Sequence, residues 1–205
     1  VYKRQAIPSG NFGNAYSAWF GRENGLPINE IFCASNVNDV LTRFISSGKL
    51  EPRETIPSVA PSMDIQIPSS LERLIYNLEG EASSFYDQLQ SEKIANLTDK
   101  STVKLQNIFS SLSFDDEMIL NEIELFYKSY GWVIDPHTAT ALSSSASFSS
   151  DLPVVGVATA SPEKFSIVIS KIIDEFSVEN KKNEEKFLVQ KANSSLVENT
   201  IKEQL

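Results

Sequence analysis

The segment Pro8-Ser9-Gly10-Asn11-Phe12-Gly13-Asn14 constrains this chain more than any other stretch. Gly10 and Gly13 can take backbone angles that a side chain forbids, and they let a ligand come close to the main chain. Asn11 and Asn14 tolerate left-handed conformations and cap helices well. The next residues, Ala15 to Asn24, read as a short helix with Ala15, Ala18 and Trp19 on one face. Gly25 suits the position after its end, and Pro27 the exit. The glycine turn thus empties into a helix N-terminus, where free N–H groups and the positive end of the dipole favour an anion such as phosphate. An ordinary tight turn before a helix is the competing reading. Neither the Walker pattern nor the dinucleotide fingerprint is present, because the lysine of one and the third glycine of the other are missing.

The elements after the turn set the fold class. Glu30 to Ser35 is a short apolar strand. Asn36 or Asn38 can cap a helix that carries Val40, Leu41, Phe44 and Ile45 and ends at Gly48. Strand, glycine turn, helix, strand, helix is the order of an α/β protein with a parallel sheet flanked by helices. Residues 1–80 are read as part of that α/β domain, and 81–130 as a helical insertion of two to four helices. Residues 131–176 return to the α/β domain, and 177–205 form peripheral C-terminal helices. Within 1–80, Ser69 or Ser70 can cap a helix bearing Leu71, Leu74, Ile75 and Leu78. The insertion carries core stripes at helical spacing, among them Phe85, Tyr86 and Leu89; Leu105, Ile108, Phe109 and Leu112; and Ile119, Ile123 and Phe126. Asp135 caps a helix with Pro136 in its first position. The serine-rich run 143–150 ends that helix and forms a loop. Leu152 to Ser161 is a buried strand, and Ser161 and Pro162 open an amphipathic helix with Phe165, Val168, Ile169, Ile172, Ile173 and Phe176 on one face.

Val1 to Gln5 fits poorly as the strand before such a turn, which is normally apolar. Residues 1–5 read as foreign to the natural sequence, with a solvent-exposed strand start as the alternative. The 205 residues carry a net charge of −9 without a basic cluster, which argues against nucleic acid or anionic membrane as partner. Cys33 stands alone, so neither a disulfide framework nor a cysteine metal site is expected, and a buried strand position suits it. The absence of a membrane-length apolar run or a signal peptide fits a cytoplasmic setting. His137 is the single histidine, unable to build a histidine metal site and without a nucleophile elbow to serve. It reads as structural or solvent-facing. Asp64 reads as binding N–H groups in a turn in preference to catalysis, and Arg73 as a surface residue or an internal ion pair. From the residues alone, the chain is an α/β piece with an anion site and no assigned reaction.

Five segments in order resemble threonine synthase, a pyridoxal-phosphate family of fold type II with a tryptophan-synthase-β-like fold. They are Pro8–Asn14, Ala34–Phe44 (ASNVNDVLTRF), Ala60–Leu74 (APSMDIQIPSSLERL), Asp135–Ala139 (DPHTA) and Thr159–Phe165 (TASPEKF). The resemblance implies that the backbone of Gly10, Asn11, Phe12, Gly13 and Asn14 holds the phosphate of pyridoxal 5′-phosphate. Thr159 matches the position whose hydroxyl faces the pyridine nitrogen, which would leave that nitrogen largely unprotonated. It implies a carbon–oxygen lyase acting on phosphates, converting O-phospho-L-homoserine and water to L-threonine and phosphate, the last step of threonine biosynthesis. The substrate is a small molecule, no metal is required, and monomer or dimer is left open. In such enzymes the Schiff-base lysine lies in a Ser-Phe-Lys-Asp-like segment of the N-terminal half, and none occurs here. The chain is therefore expected to be a C-terminal fragment with no catalytic residue of its own, inactive alone. Alternatives are a phospho-lyase that eliminates phosphate without making threonine, and a non-catalytic interaction module. Two departures stand out: Ser161 where the family commonly has histidine, and Asn14 where many members have aspartate.

Overall fold

A computed structural model describes residues 3–144 and 152–173. Strand β1 (Lys3–Pro8) leads through the glycine turn into helix α1 (Gly13–Glu23), then into strand β2 (Ile28–Ser35) and helix α2 (Val40–Ser47). A two-residue strand β3 (Lys49–Leu50) precedes a long strap that crosses the surface to a single 3₁₀ turn at Pro61–Met63. Helices α3 (Leu71–Glu79) and α4 (Ser83–Glu92), strand β4 (Ala95–Asn96), helix α5 (Asp99–Gln106), strand β5 (Phe109–Ser113) and helix α6 (Asp116–Tyr130) come next. Helix α7 (Pro136–Ser143), strand β6 (Val154–Gly156), a 3₁₀ turn (Pro162–Phe165) and the short helix α8 (Ser166–Ile169) complete the described chain.

The main sheet has the order β5-β2-β1-β6, and every pairing in it is parallel. Its two central strands are buried on both faces, and their period of two assigns each residue to one core. Ile7, Ile31 and Cys33 face a core shared with Phe12, Trp19, Phe44, Leu71, Leu74 and Ile75. Ala6, Phe32 and Ala34 face the other, shared with Ile119, Ile123, Ala139 and Ala141. The small side chains of the second core let α7 lie close on the sheet. A Cβ on Gly156 would stand 2.8 Å from Leu142 Cδ2. Burial pushes the Cys33 thiol up to about 12 against a smaller opposing bond to Ser9, so it stays a protonated core group.

Several expectations change. The stripe Leu105–Leu112 is not one helix: α5 stops at Gln106, and Phe109–Ser113 pairs with β2 as the edge strand of the main sheet. The run Phe109-Ser110-Ser111-Leu112-Ser113 is compatible with either period, and the open edge of β2 decides it. Residues 81–130 thus supply three helices and also a strand to the sheet. Leu152–Ser161 is not a buried strand; only Val154–Gly156 pairs, at a sheet end, with Val155 39% exposed. The expected long helix from Ser161 is a 3₁₀ turn followed by four helical residues, with Ile169 and Ile173 buried. Phe176, most of the serine run and 177–205 lie outside the described residues. Lys3 to Gln5 belong to β1 and pair with β2, and Arg4 makes an ion pair with Glu30 at 3.0 Å. That pair is how the strand accommodates its polar start. No described helix is long and apolar enough to cross a membrane.

Candidate functional site

From β1 the chain proceeds outward through β2 to β5, while β6 lies on the other side of β1. The strand order therefore switches between β1 and β6, and the crevice beyond the carboxyl ends of such strands is where open α/β sheets bind ligands. A cavity of about 250 Å³ occupies that place. Gly10, Asn11, Phe12, Gly13 and Asn14 line one side of it, and Thr159 comes from the loop after β6. All six candidate residues share one cavity.

The turn is built differently from the sequence expectation. Neither Gly10 nor Gly13 has a positive φ; Phe12 does, at φ 70°, as the residue that caps α1. A left-handed non-glycine residue costs about 1–2 kcal/mol, offset here by a ring that is 1% exposed and lies 5.3 Å from Phe109. Gly10 is required for close approach: a Cβ there would stand 2.8 Å from Ser62 O and 3.0 Å from Met63 Cα. Asn11 and Asn14 do not cap the helix, which has no side-chain cap. Asn11 instead ties the turn to α3: its Oδ1 accepts from Ser69 Oγ at 3.1 Å and its carbonyl accepts from Ser70 N at 2.9 Å. Ser69 and Ser70 are thereby engaged with the turn, and neither hydroxyl caps α3.

The result is a cluster of open donors. Among the described residues, the N–H groups of Gly10, Asn11 and Phe12 make no hydrogen bond. Gly13 and Asn14 occupy the first two helical positions, where N–H groups have no partner within the helix. The first turn of α1 holds no carboxylate, and neither do the described residues that line the cavity. Such a terminus suits an anion with several oxygens.

The far wall is the Pro61–Met63 turn, whose Ser62 and Met63 also line the cavity. It is held on one side by a polar hub. Asp64 Oδ1 accepts from Asn36 Nδ2 (2.6 Å), Asn38 Nδ2 (3.0 Å) and Ser58 Oγ (2.7 Å), and Oδ2 accepts from Ser58 N at 3.0 Å. Asn38 also accepts from Ile56 N at 2.9 Å, and Asn36 donates to Ala60 O at 3.3 Å. Asn36 and Asn38 therefore fasten the strap; Asp39 stands at the start of α2, and Arg43 Nε reaches back to it at 2.8 Å. Asp64 binds N–H groups as expected, but the two asparagine donors lie 28 and 26 residues away in sequence, far outside its own turn. Arg73 lies over the Tyr16 ring, 4.4 Å from its centre, a cation–π contact.

On the other side, α7 presents Asp135 and His137. Asp135 Oδ1 accepts from His137 N at 2.9 Å and Thr138 N at 3.2 Å, the expected cap, and also faces His137 Nδ1 at 3.1 Å. Its Oδ2 accepts from the Thr138 hydroxyl. Burial would raise the Asp135 carboxyl, but these donors outweigh it and hold the group below its usual value. His137 is buried at 3% exposure, and its Nε2 accepts from Ser62 N at 3.2 Å. The histidine is held by structural bonds, yet it also lines the cavity with Ser62 and Met63, which its sequence context does not suggest. A cap-forming aspartate two residues before it is the only local signal; its Ser62 partner lies 75 residues away.

No family model matches the chain. Threonine synthase of Pseudomonas aeruginosa is 32% identical to it over 172 residues, covering 81% of this chain and 37% of that protein. The crystal structure of PLP-bound threonine synthase from Brucella melitensis superposes with a TM-score of 0.80 at 29% identity, over 84% of this chain and 38% of that one. Threonine synthase from yeast superposes with a TM-score of 0.81 at 25% identity, over 99% and 47%. The chain spans less than half the length of these relatives. It shares with them an α/β fold of a parallel sheet flanked by helices, that of the fold type II enzymes. Sequence likeness and superposition agree over most of its length, and over that length the chain is homologous to the threonine synthases.

Proposed function

We propose that the cavity holds pyridoxal 5′-phosphate and that the protein carrying this chain converts O-phospho-L-homoserine and water to L-threonine and phosphate. The observation that carries the reading is the set of unpartnered backbone N–H groups from Gly10 to Asn14 converging on one cavity with Thr159. The residues fit the cofactor's phosphate: the donors are neutral amides at a helix N-terminus, and no carboxylate among the described lining residues opposes a dianion. When bound, the cofactor supplies the electron sink that eases proton loss from carbons near the substrate amine.

In this reading the amides would hold and orient the phosphate, and Thr159, which lines the same cavity, would offer the pyridine nitrogen a neutral hydroxyl partner. The Pro61–Met63 wall excludes water from behind the turn. No residue of the chain is assigned proton transfer. The family places that task on a lysine in a Ser-Phe-Lys-Asp-like segment that these 205 residues do not contain. The 205 residues alone are therefore expected to turn over no substrate. A cytoplasmic location goes with the proposal, since the lone buried thiol asks for no oxidising compartment.

The test is to incubate the complete gene product with cofactor and O-phospho-L-homoserine and to measure phosphate and threonine together. Equal amounts of both are expected. Phosphate released without threonine would assign the eliminating chemistry instead, and a cofactor-loaded protein releasing neither would overturn the proposal.

A further inference from the structure

We propose that His137 is a positioning residue that clamps the far wall of the phosphate cup, and not a proton carrier for the reaction. Its two ring nitrogens are both taken by the protein. Nε2 faces the Ser62 N–H at 3.2 Å, and a backbone N–H can only donate, so Nε2 carries no proton. The ring proton is then on Nδ1, directed at Asp135 Oδ1 at 3.1 Å. Asp135 is itself fixed, as the cap of α7, by the N–H groups of His137 and Thr138. The ring also packs on Phe165, 5.0 Å between centres.

The clamp has a consequence at the cup. Ser62 is the residue whose carbonyl oxygen would stand 2.8 Å from a Gly10 Cβ. Holding Ser62 N therefore sets how closely the wall meets the backbone of the donor turn. Asp64 and its asparagines hold the same turn from the opposite side. The width of the cup is fixed between two anchors, one on α7 and one after β2. The expected effect on anion affinity rests on the phosphate reading above; the hydrogen bond itself does not.

His137 is the single histidine of the 205 residues, and comparison with His137→Gln identifies its ring nitrogens in the complete protein. In the uniformly ¹⁵N-labelled complete protein, a through-hydrogen-bond coupling between Ser62 N and His137 Nε2 is expected, with the ring proton on Nδ1. Inorganic phosphate is then titrated while the Gly10–Asn14 amides are followed. The dissociation constant is expected to rise about tenfold in His137→Leu and to return to within about threefold of the natural value in His137→Gln, whose amide oxygen can replace Nε2 as acceptor. His137→Asn, which replaces Nδ1 instead, should not recover it. A proton on Nε2, a missing coupling, or a His137→Gln variant no better than His137→Leu would overturn the proposal. If natural-chain amides ignore phosphate, the phosphate reading fails, and the coupling alone then decides the clamp.

Discussion

Two helix N-termini meet at the same cavity and are treated in opposite ways. Helix α7 is sealed: Asp135 takes both N–H groups of its first turn within reach, and the neighbouring histidine as well. Helix α1 is left open, with Phe12 as a cap that offers no side-chain acceptor and no acid in the first turn. Capping is worth about 1 kcal/mol, so an uncapped, unacidified terminus forgoes stability. The forgone donors are the ones that line the cavity. One terminus is closed by the protein's own carboxylate, and the other keeps its donors turned to the cavity.

The largest expected effect comes from releasing the wall that faces the open terminus. Asp64→Ala leaves the donors of Asn36, Asn38 and Ser58 without their carboxylate. The expected loss is roughly 3–4 kcal/mol of unfolding free energy in urea denaturation, since each buried unsatisfied donor costs about 1–3 kcal/mol. A loss below about 1 kcal/mol would show that the strap holds itself. Next comes the sealed terminus. Asp135→Ala is expected to cost roughly 2–3 kcal/mol near neutral pH, by loss of the cap and of the His137 contact. The pH dependence comes from the depressed Asp135 carboxyl. Its contribution is complete above the ordinary aspartate value of about 4 and is lost as pH falls through the lower folded value. Natural chain and variant should therefore converge in acid. A constant gap down to acid pH would mean that the charge of Asp135 is not what stabilises α7.

Gly10→Ala tests the contact between the two sides of the cup. Its Cβ has no room against Ser62 and Met63 backbone, so a cost of about 2 kcal/mol is expected from overpacking. Gly13→Ala is the control. Its Cβ would stand 3.6 Å from Ser70 Oγ in ordinary contact, and a change within about 0.5 kcal/mol is expected. Equal effects at the two glycines would sink the view that one serves close approach and the other does not. Thermal or urea melts suffice for both.

Much of this site is legible in the chain order, and the features that are not share a cause. The turn, the strand–helix alternation and the Asp135 cap are local, written in residues a few positions apart within Pro8–Asn24, Glu30–Gly48 and Asp135–Pro136. The rest is decided across the chain. Phe12 takes the left-handed angle because a core far from it in sequence accepts its ring. Asn36 and Asn38 look like caps, but Asp64 and Ile56 claim them. Phe109–Ser113 has no strong period, and the unpaired edge of β2 makes it a strand. His137 looks idle in the sequence because its partner is a backbone N–H with no side-chain signature.

The smallest expected effect has two signs, which makes it the sharpest test of what the open terminus is for. Asn14→Asp puts an acid in the first turn of α1, where none exists. A carboxylate there favours the helix by about 0.3–1 kcal/mol, so the melting temperature should rise slightly. The same charge lines the cavity beside the amides. At a separation of about 7 Å in an aqueous cup, a carboxylate and a dianion repel by about 1 kcal/mol, so phosphate affinity should fall several-fold. Stability and affinity should thus move in opposite directions from one substitution. If stability rises and affinity does not change, the Asn14 side chain lies away from the bound anion, and only the backbone of that residue belongs to the cup. If neither moves, the dipole at α1 is already screened by solvent, and the contrast with α7 reduces to hydrogen bonding alone.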